Sequence, residues 1–135
     1  MTLQVGIDVV AVEFVRESLS AHGDHYLERI FTEQEVRDCR REDGISVEGL
    51  AARFAAKEAT MKALRLPRDE GLDLRSIELV REPGGWTSLR LSGGAAALAE
   101  RQGISELAVS ITHDGPVAAA VVVASRAGRS PLSGP

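Results

Sequence analysis

The chain has 135 residues, of which 44% are hydrophobic and 27% are charged, and its formal net charge at pH 7 is −4. This length suits a single domain and excludes a β/α barrel, which needs about 250 residues. The negative net charge argues against a general nucleic-acid-binding protein, because such proteins usually carry a basic surface.

Several features of the sequence predict a cytoplasmic protein that does not bind membranes. The single cysteine, Cys39, can form no disulfide within the chain, which suits a reducing compartment. No basic segment precedes the first apolar run, so we expect no signal peptide. The longest aliphatic run, residues 117–124, is far shorter than the roughly 20 residues that a membrane-spanning helix needs.

Strand and helix patterns alternate along the chain. The predicted strands cover residues 3–10, 76–81, 86–91, 107–113 and 117–125. The predicted helices cover residues 11–19, 32–41, 47–66 and 92–102. Thr32 followed by Glu35 has the pattern of a capping box, which starts the second of these helices. Pro67 ends the third and longest one.

Two hairpin signals indicate the fold class. The segments Glu82–Gly85 and Asp114–Gly115 each separate two predicted strands. Together with the helices, they predict an α+β domain with a mainly antiparallel sheet packed against helices. We assign the domain to residues 1–125 and expect the Gly-, Ser- and Pro-rich tail at 126–135 to be disordered.

The first strand carries a carboxylate in apolar surroundings. Asp8 is costly to bury unless it is paired, hydrogen-bonded or bound to a metal. Gly6 is two residues earlier on the same face of the strand and removes a side chain beside Asp8. The alternative is that Asp8 ends the strand and caps the following helix.

Charged pairs follow the longest predicted helix. Glu58 and Lys62 are four residues apart and share a stripe between two apolar faces, and Arg53 and Lys57 share another. Spacing alone favours surface ion pairs, which are common on helices. Lys57 and Lys62 are also the only lysines among the 16 basic residues. Further along, His113 ends a strand beside a turn, where a structural histidine is common, and no Cys/His spacing of a zinc site is present.

Four segments in order resemble the 4′-phosphopantetheinyl transferases. Gly6–Asp8 (G-I-D) and Phe54–Lys62 (F-A-A-K-E-A-T-M-K) are similar to the two signature motifs of that family. Arg29–Glu35 (R-I-F-T-E-Q-E) and Val109–Gly115 (V-S-I-T-H-D-G) are similar to segments of its holo-acyl-carrier-protein synthase branch. The resemblance extends over roughly residues 5–123 and implies the fold of that family.

The resemblance implies a Mg²⁺-dependent transfer of the phosphopantetheine arm of coenzyme A to a serine of an apo acyl carrier protein, for fatty acid or polyketide biosynthesis. Asp8 and Glu58 would be the metal ligands, which suits the preference of Mg²⁺ for oxygen. Glu58, directly or through a water on the metal, would be the base, and Lys62 would stabilise the leaving group. Arg53, Lys57, Lys62 and His113 would contact the phosphates of coenzyme A.

The resemblance also implies a homotrimer with coenzyme A between subunits. Two departures from the family pattern concern the partners. The first helix lacks the family's basic cluster, so either carrier docking uses Arg29, Arg37, Arg40 or Arg41, or the partner is an unusual carrier such as one from polyketide assembly. In addition, L-R-L-P-R at Leu64–Arg68 replaces a Gly-rich turn. A non-catalytic coenzyme A-binding module and a structural oligomerisation domain are the rival functions.

Overall fold

The computed structural model describes residues 1–127, in which five helices and seven strands form a mixed α+β fold. The strands are β1 (Thr2–Ala11), β2 (Arg40–Arg41), β3 (Gly44–Ile45), β4 (Ile77–Arg81), β5 (Thr87–Leu91), β6 (Ile104–Asp114) and β7 (Val117–Arg126). The helices are α1 (Val12–His22), α2 (Asp24–Ile30), α3 (Glu33–Cys39), α4 (Val47–Ala63) and α5 (Gly93–Arg101), and a 3₁₀ turn covers Leu74–Ser76. Every strand pairing in this part of the chain is antiparallel.

The largest sheet has the strand order β1–β7–β6, and α4 packs across one of its faces. The alanines of α4 make a close approach possible, because a small side chain keeps the helix axis near the sheet. Ala55, Ala56 and Ala59 are fully buried, and Ala118 and Val122 face them from the middle strand β7. The core is therefore built from small aliphatic residues, in keeping with an aromatic content of only 4%.

The opposite face of this sheet is largely apolar, and no element of residues 1–127 covers it. Leu3, Val5, Ile7 and Val9 alternate with the buried positions of β1 and are each 60–65% exposed. Val121 and Val123 extend the same face onto β7, because they pair with Ile7 and Val5. A contiguous apolar surface of this kind is typical of an interaction site.

The sequence predicted most element positions, and three of the differences concern the helices. Helix α2 was not predicted, because only seven residues separate Gly23 from Phe31 and they show no clear period. Helix α3 ends at Cys39, so Arg41 lies on β2 and does not share a helical face with Arg37. Helix α4 ends at Ala63, three residues earlier than predicted.

Strand β7 continues through Arg126, one residue into the predicted tail, and residues 128–135 of that tail lie outside the described part of the chain. Within the described residues, no helix is long and apolar enough to cross a membrane.

Candidate functional site

The crossing of β1 over the C-terminal half of α4 brings Asp8, Glu58 and Lys62 together. Asp8 points from β1 towards the helix, and its side chain is 18% exposed. The Lys62 ammonium lies 3.3 Å from Asp8 Oδ1 and donates a hydrogen bond of 2.9 Å to the carbonyl oxygen of Ile7. Two carboxylates and one cation therefore meet at the surface, from two segments about 50 residues apart in sequence.

Gly6 sets the approach of these two elements. A Cβ atom on Gly6 would collide with the carbonyl oxygen of Ala59 and lie 2.7 Å from the backbone nitrogen of Ala63. The space that the glycine was expected to open beside Asp8 is thus occupied by the backbone of α4. One step earlier on the same face, Gln4 Nε2 donates to the carbonyl oxygen of Ala63 at 2.8 Å, which fixes β1 against the end of the helix.

The pKa of Glu58 is raised above its ordinary value. Partial burial of the carboxyl is the main cause, and the negative charge of Asp8 adds to it, whereas Lys62 acts in the opposite direction. A carboxylate with a raised pKa is a better proton acceptor. Asp8 and Glu58 also offer oxygen atoms of the type that Mg²⁺ prefers. No group of three or more His, Cys, Asp or Glu side chains suited to a metal occurs in residues 1–127.

A cavity of about 380 Å³ adjoins Glu58 and Lys62. It is formed by the last turns of α4 and the segment that follows the helix. Its lining residues are Glu58, Met61, Lys62, Arg65, Leu66, Pro67, Arg68 and Glu70. Glu58 and Lys62 therefore face a space that can hold a ligand.

The structure does not bring Lys57 to this site. Its ammonium is fully buried and donates to Glu35 Oε1 at 2.7 Å, to the carbonyl oxygen of Leu74 at 2.9 Å and to that of Ile77. Burial lowers the pKa of Lys57, and the Glu35 carboxylate opposes that effect. Three acceptors use all three ammonium hydrogens, so none is left for a phosphate. The expectation that Lys57 contacts coenzyme A conflicts with this arrangement.

The sequence indicated Glu35 only as part of a capping box and did not reveal its contact with Lys57. The capping box indicated its bond from Thr32 N, which is present at 2.9 Å. The same carboxylate also accepts from Lys57 and, through Oε2, from the backbone nitrogen of Leu79 at 2.9 Å. Its place beside the first strand of a separate hairpin could not be read from local sequence.

Arg53 lines a second cavity, of about 480 Å³, between the β4–β5 hairpin and β6. The side chain is 2% exposed and donates to the carbonyl oxygen of Gly49 at 3.1 Å, whereas its Nε atom has no partner among the described residues. Arg81 and Trp86 line the same cavity. A buried guanidinium with a free donor beside a second arginine suits an anionic ligand.

His113 is exposed near the end of β6 and pairs in register with Ala118 of β7. The middle strand β7 separates it from β1, and neighbouring strands are about 4.8 Å apart. It therefore lies about two strand spacings from Asp8 across the sheet, with α4 packed on the same face. Within one chain, His113 is not part of the Asp8–Glu58–Lys62 group.

Known proteins share this fold and much of this sequence. A family profile described as the 4′-phosphopantetheinyl transferase superfamily matches residues 4–122. A holo-[acyl-carrier-protein] synthase of Salinispora arenicola is 46% identical over 126 residues, which are 93% of this chain and 100% of the relative. The structure of an ACPS–CoA complex from Chronobacterium ammoniagenes superposes with a TM-score of 0.80 at 33% identity, covering 93% of this chain and 98% of the other. A Helicobacter pylori holo-[acyl-carrier-protein] synthase in complex with coenzyme A gives a TM-score of 0.77 at 29% identity, covering 90% and 99%.

Proposed function

The chain belongs to the 4′-phosphopantetheinyl transferase superfamily, and we propose that Asp8, Glu58 and Lys62 form its active site. It is a holo-acyl-carrier-protein synthase, which transfers the phosphopantetheine arm of coenzyme A to a serine of an apo acyl carrier protein. The observation that carries the assignment of the site is the meeting of these three side chains where β1 crosses α4.

The carboxylates of Asp8 and Glu58 would hold a Mg²⁺ ion. They supply two hard oxygen ligands at a solvent-accessible position, which fits an ion that keeps several waters and shares ligands with substrate phosphates. Bound there, the ion would neutralise negative charge on the diphosphate of coenzyme A. Burial is the main cause of the raised pKa of Glu58, and a cation between the two groups would relieve the repulsion that Asp8 adds.

Glu58 and Lys62 would handle the proton and the leaving group. The serine Oγ bonds to the phosphorus that carries the pantetheine arm, and the bond from this phosphorus to the bridging diphosphate oxygen breaks. The serine proton would pass to the Glu58 carboxylate, directly or through a water molecule. Adenosine 3′,5′-bisphosphate leaves with the electron pair, and the Lys62 ammonium stabilises the charge that develops on it.

Arg53 and His113 would contact the phosphates of coenzyme A. The free Nε of Arg53 and the neighbouring Arg81 line one cavity, so together they can receive a phosphate group. His113 is exposed on β6, the strand that contributes Val109, Ser110 and Ile111 to that cavity. Lys57, in contrast, would hold α4 against α3 and β4, and this contact would position Glu58, the next residue along the helix.

We propose that the active form is a homotrimer. The uncovered sheet face presents Leu3, Val5, Ile7 and Val9 to solvent, and its burial between copies would remove this apolar surface from water. Closed symmetry would also let the Arg53 cavity of one subunit serve the carboxylates of the next, since they are separate within a single chain. Coenzyme A would then span a subunit boundary.

A transfer assay tests the assignment and its rivals. The chain is incubated with coenzyme A and apo acyl carrier protein, with Mg²⁺ or with a chelator, and the carrier is weighed by intact-mass spectrometry. We expect the mass of one phosphopantetheine group to be added only with Mg²⁺, and Asp8→Ala and Glu58→Ala to fold but transfer nothing. Near-normal turnover of either variant would refute the site. Binding of coenzyme A without transfer would indicate a binding module, and no binding would indicate a structural domain.

A further inference from the structure

The end of α4 has an unusual residue in its C-terminal cap. The backbone nitrogen of Arg65 donates to the carbonyl oxygen of Lys62 at 3.1 Å, and that of Leu66 donates to Met61 at 3.0 Å. This pair of bonds is the Schellman motif, whose residue in the left-handed region is usually glycine. Here Arg65 takes that place with a φ of +53°, and it is the only residue other than glycine with a positive φ in residues 1–127.

The side chain of Arg65 is free to bind a ligand. It is exposed and lines the 380 Å³ cavity together with Glu58 and Lys62. No hydrogen bond or ion pair engages its guanidinium within the described residues. A glycine would take the same backbone conformation without a steric penalty. The arginine therefore adds a positive charge to this cavity at the cost of backbone strain.

The negative groups at this cavity would repel a diphosphate unless a positive charge such as that of Arg65 offsets them. A diphosphate that enters this cavity meets the negative end of the α4 dipole and the carboxylate of Glu58, with the charge of Asp8 nearby. Lys62 is already engaged with Asp8 and with the carbonyl oxygen of Ile7. The nearby carboxylate of Glu70 is paired with Arg101 at 3.2 Å and therefore does not neutralise Arg65.

We propose that Arg65 is a further substrate-binding residue, which contacts the diphosphate of coenzyme A beside Lys62. This inference rests on the proposed function and names a contact that the Gly-rich turn of the family would lack. The guanidinium offers several donors in a planar fork, which suits neighbouring phosphate oxygens. Arg65 is three residues beyond Lys62 and lines the same cavity, so this contact would lie beside the cation proposed to stabilise the leaving group.

Three substitutions separate the charge from the backbone strain. Arg65→Gly removes both, Arg65→Ala removes the charge and keeps the strain, and Arg65→Lys keeps the charge. We expect Gly and Ala variants to bind coenzyme A about tenfold more weakly by calorimetry, and Lys to recover part of that loss. The Gly variant should melt at a higher temperature than the Ala variant. Arg90→Ala removes an exposed arginine of the β4–β5 hairpin and should bind coenzyme A as the original chain does.

The comparison ligand is dephospho-coenzyme A, which keeps the diphosphate and lacks the 3′-phosphate. An equal loss of affinity for both ligands supports the diphosphate contact. A loss seen only with coenzyme A would overturn it, because the 3′-phosphate would then be the partner. Unchanged affinity of the Gly and Ala variants, in a chain that still modifies the carrier, would overturn the inference and leave the proposed function intact. A failure of the unsubstituted chain to modify any carrier would instead count against the function itself.

Discussion

Replacement of Lys57 by methionine should destabilise the fold far more than it alters substrate binding. Methionine keeps much of the apolar stem and loses the ammonium, which donates to Glu35 Oε1 and to the carbonyl oxygens of Leu74 and Ile77. The substitution thus leaves a carboxylate and two carbonyl groups without this donor in the interior. These contacts join α4 to α3, to the 3₁₀ turn and to β4, whereas Asp8 lies on β1.

The structure sets the size of the effect. Removal of one partner from a buried ion pair costs about 3–5 kcal/mol. Glu35 keeps its bonds from the backbone nitrogens of Thr32 and Leu79, both at 2.9 Å, so we expect the free energy of unfolding to fall by about 3 kcal/mol. That is a large share of the roughly 5–15 kcal/mol that stabilises a domain. The melting temperature should fall by about 10 °C.

Urea denaturation followed by circular dichroism measures this change, and Lys62→Met is the matched control on the same helix. Lys62 is 57% exposed, so its replacement should change the free energy of unfolding by less than about 1 kcal/mol while it removes activity. A double variant, Glu35→Gln with Lys57→Met, should cost less than the sum of the single changes. The reasoning fails if Lys57→Met unfolds like the original chain and instead raises the KM for coenzyme A, since Lys57 would then reach a phosphate.

The other predictions concern the chemistry, the assembly and the carrier. Lys62→Ala should lower kcat about a hundredfold and change the KM for coenzyme A much less, because its charge acts on the leaving group; equal effects on both constants in steady-state assays would contradict that role. Ile7→Glu should yield monomers by multi-angle light scattering, since it puts a charge in the apolar sheet face, and a trimer mass would refute the proposed interface. Arg37→Glu with Arg40→Glu, two residues of one cavity wall, should raise the KM for an acidic carrier and leave that for coenzyme A unchanged. The original chain should also lose carrier affinity as salt rises, because charges are screened over about 10 Å at 0.1 M, so a KM independent of salt would exclude charge-guided docking.

The sequence predicts the α+β class and the pairing of Asp8 with the α4 charges. The elements are defined by strong local signals, such as the capping box at Thr32 and the turn at Asp114–Gly115, which the structure confirms. The family resemblance selects Glu58 and Lys62 from a helix whose spacing alone also permits a surface ion pair. The meeting of these residues with Asp8 needs the β1–α4 crossing, which Gly6 permits.

The environment of each charged group on α4 could not be predicted from the sequence. Arg53 and Lys57 were paired by their spacing of four residues, yet they contact different parts of the fold. The partners of Lys57 come from α3 and from residues 74–77, and no local pattern connects those segments to α4. The left-handed conformation of Arg65 was hidden for a related reason, since glycine is the usual sequence signal of that cap.

The distribution of exposure around α4 explains how one helix can both support the core and carry the site. From Leu50 to Ala63 the helix is buried on nearly every side, and only Phe54, Glu58, Met61 and Lys62 keep access to solvent. These four lie at helical spacings of i, i+4, i+7 and i+8, so they form a single stripe. Phe54 and Met61 flank the two charged residues, and the ring centroid of Phe54 lies 6.0 Å from that of the exposed Phe14. Lys57 is rotated by about 140° from Lys62 on a helix of 3.6 residues per turn. The two lysines therefore point in different directions from one helix. A substitution of Lys57 should mainly lower the stability of the fold, and a substitution of Lys62 should mainly lower activity.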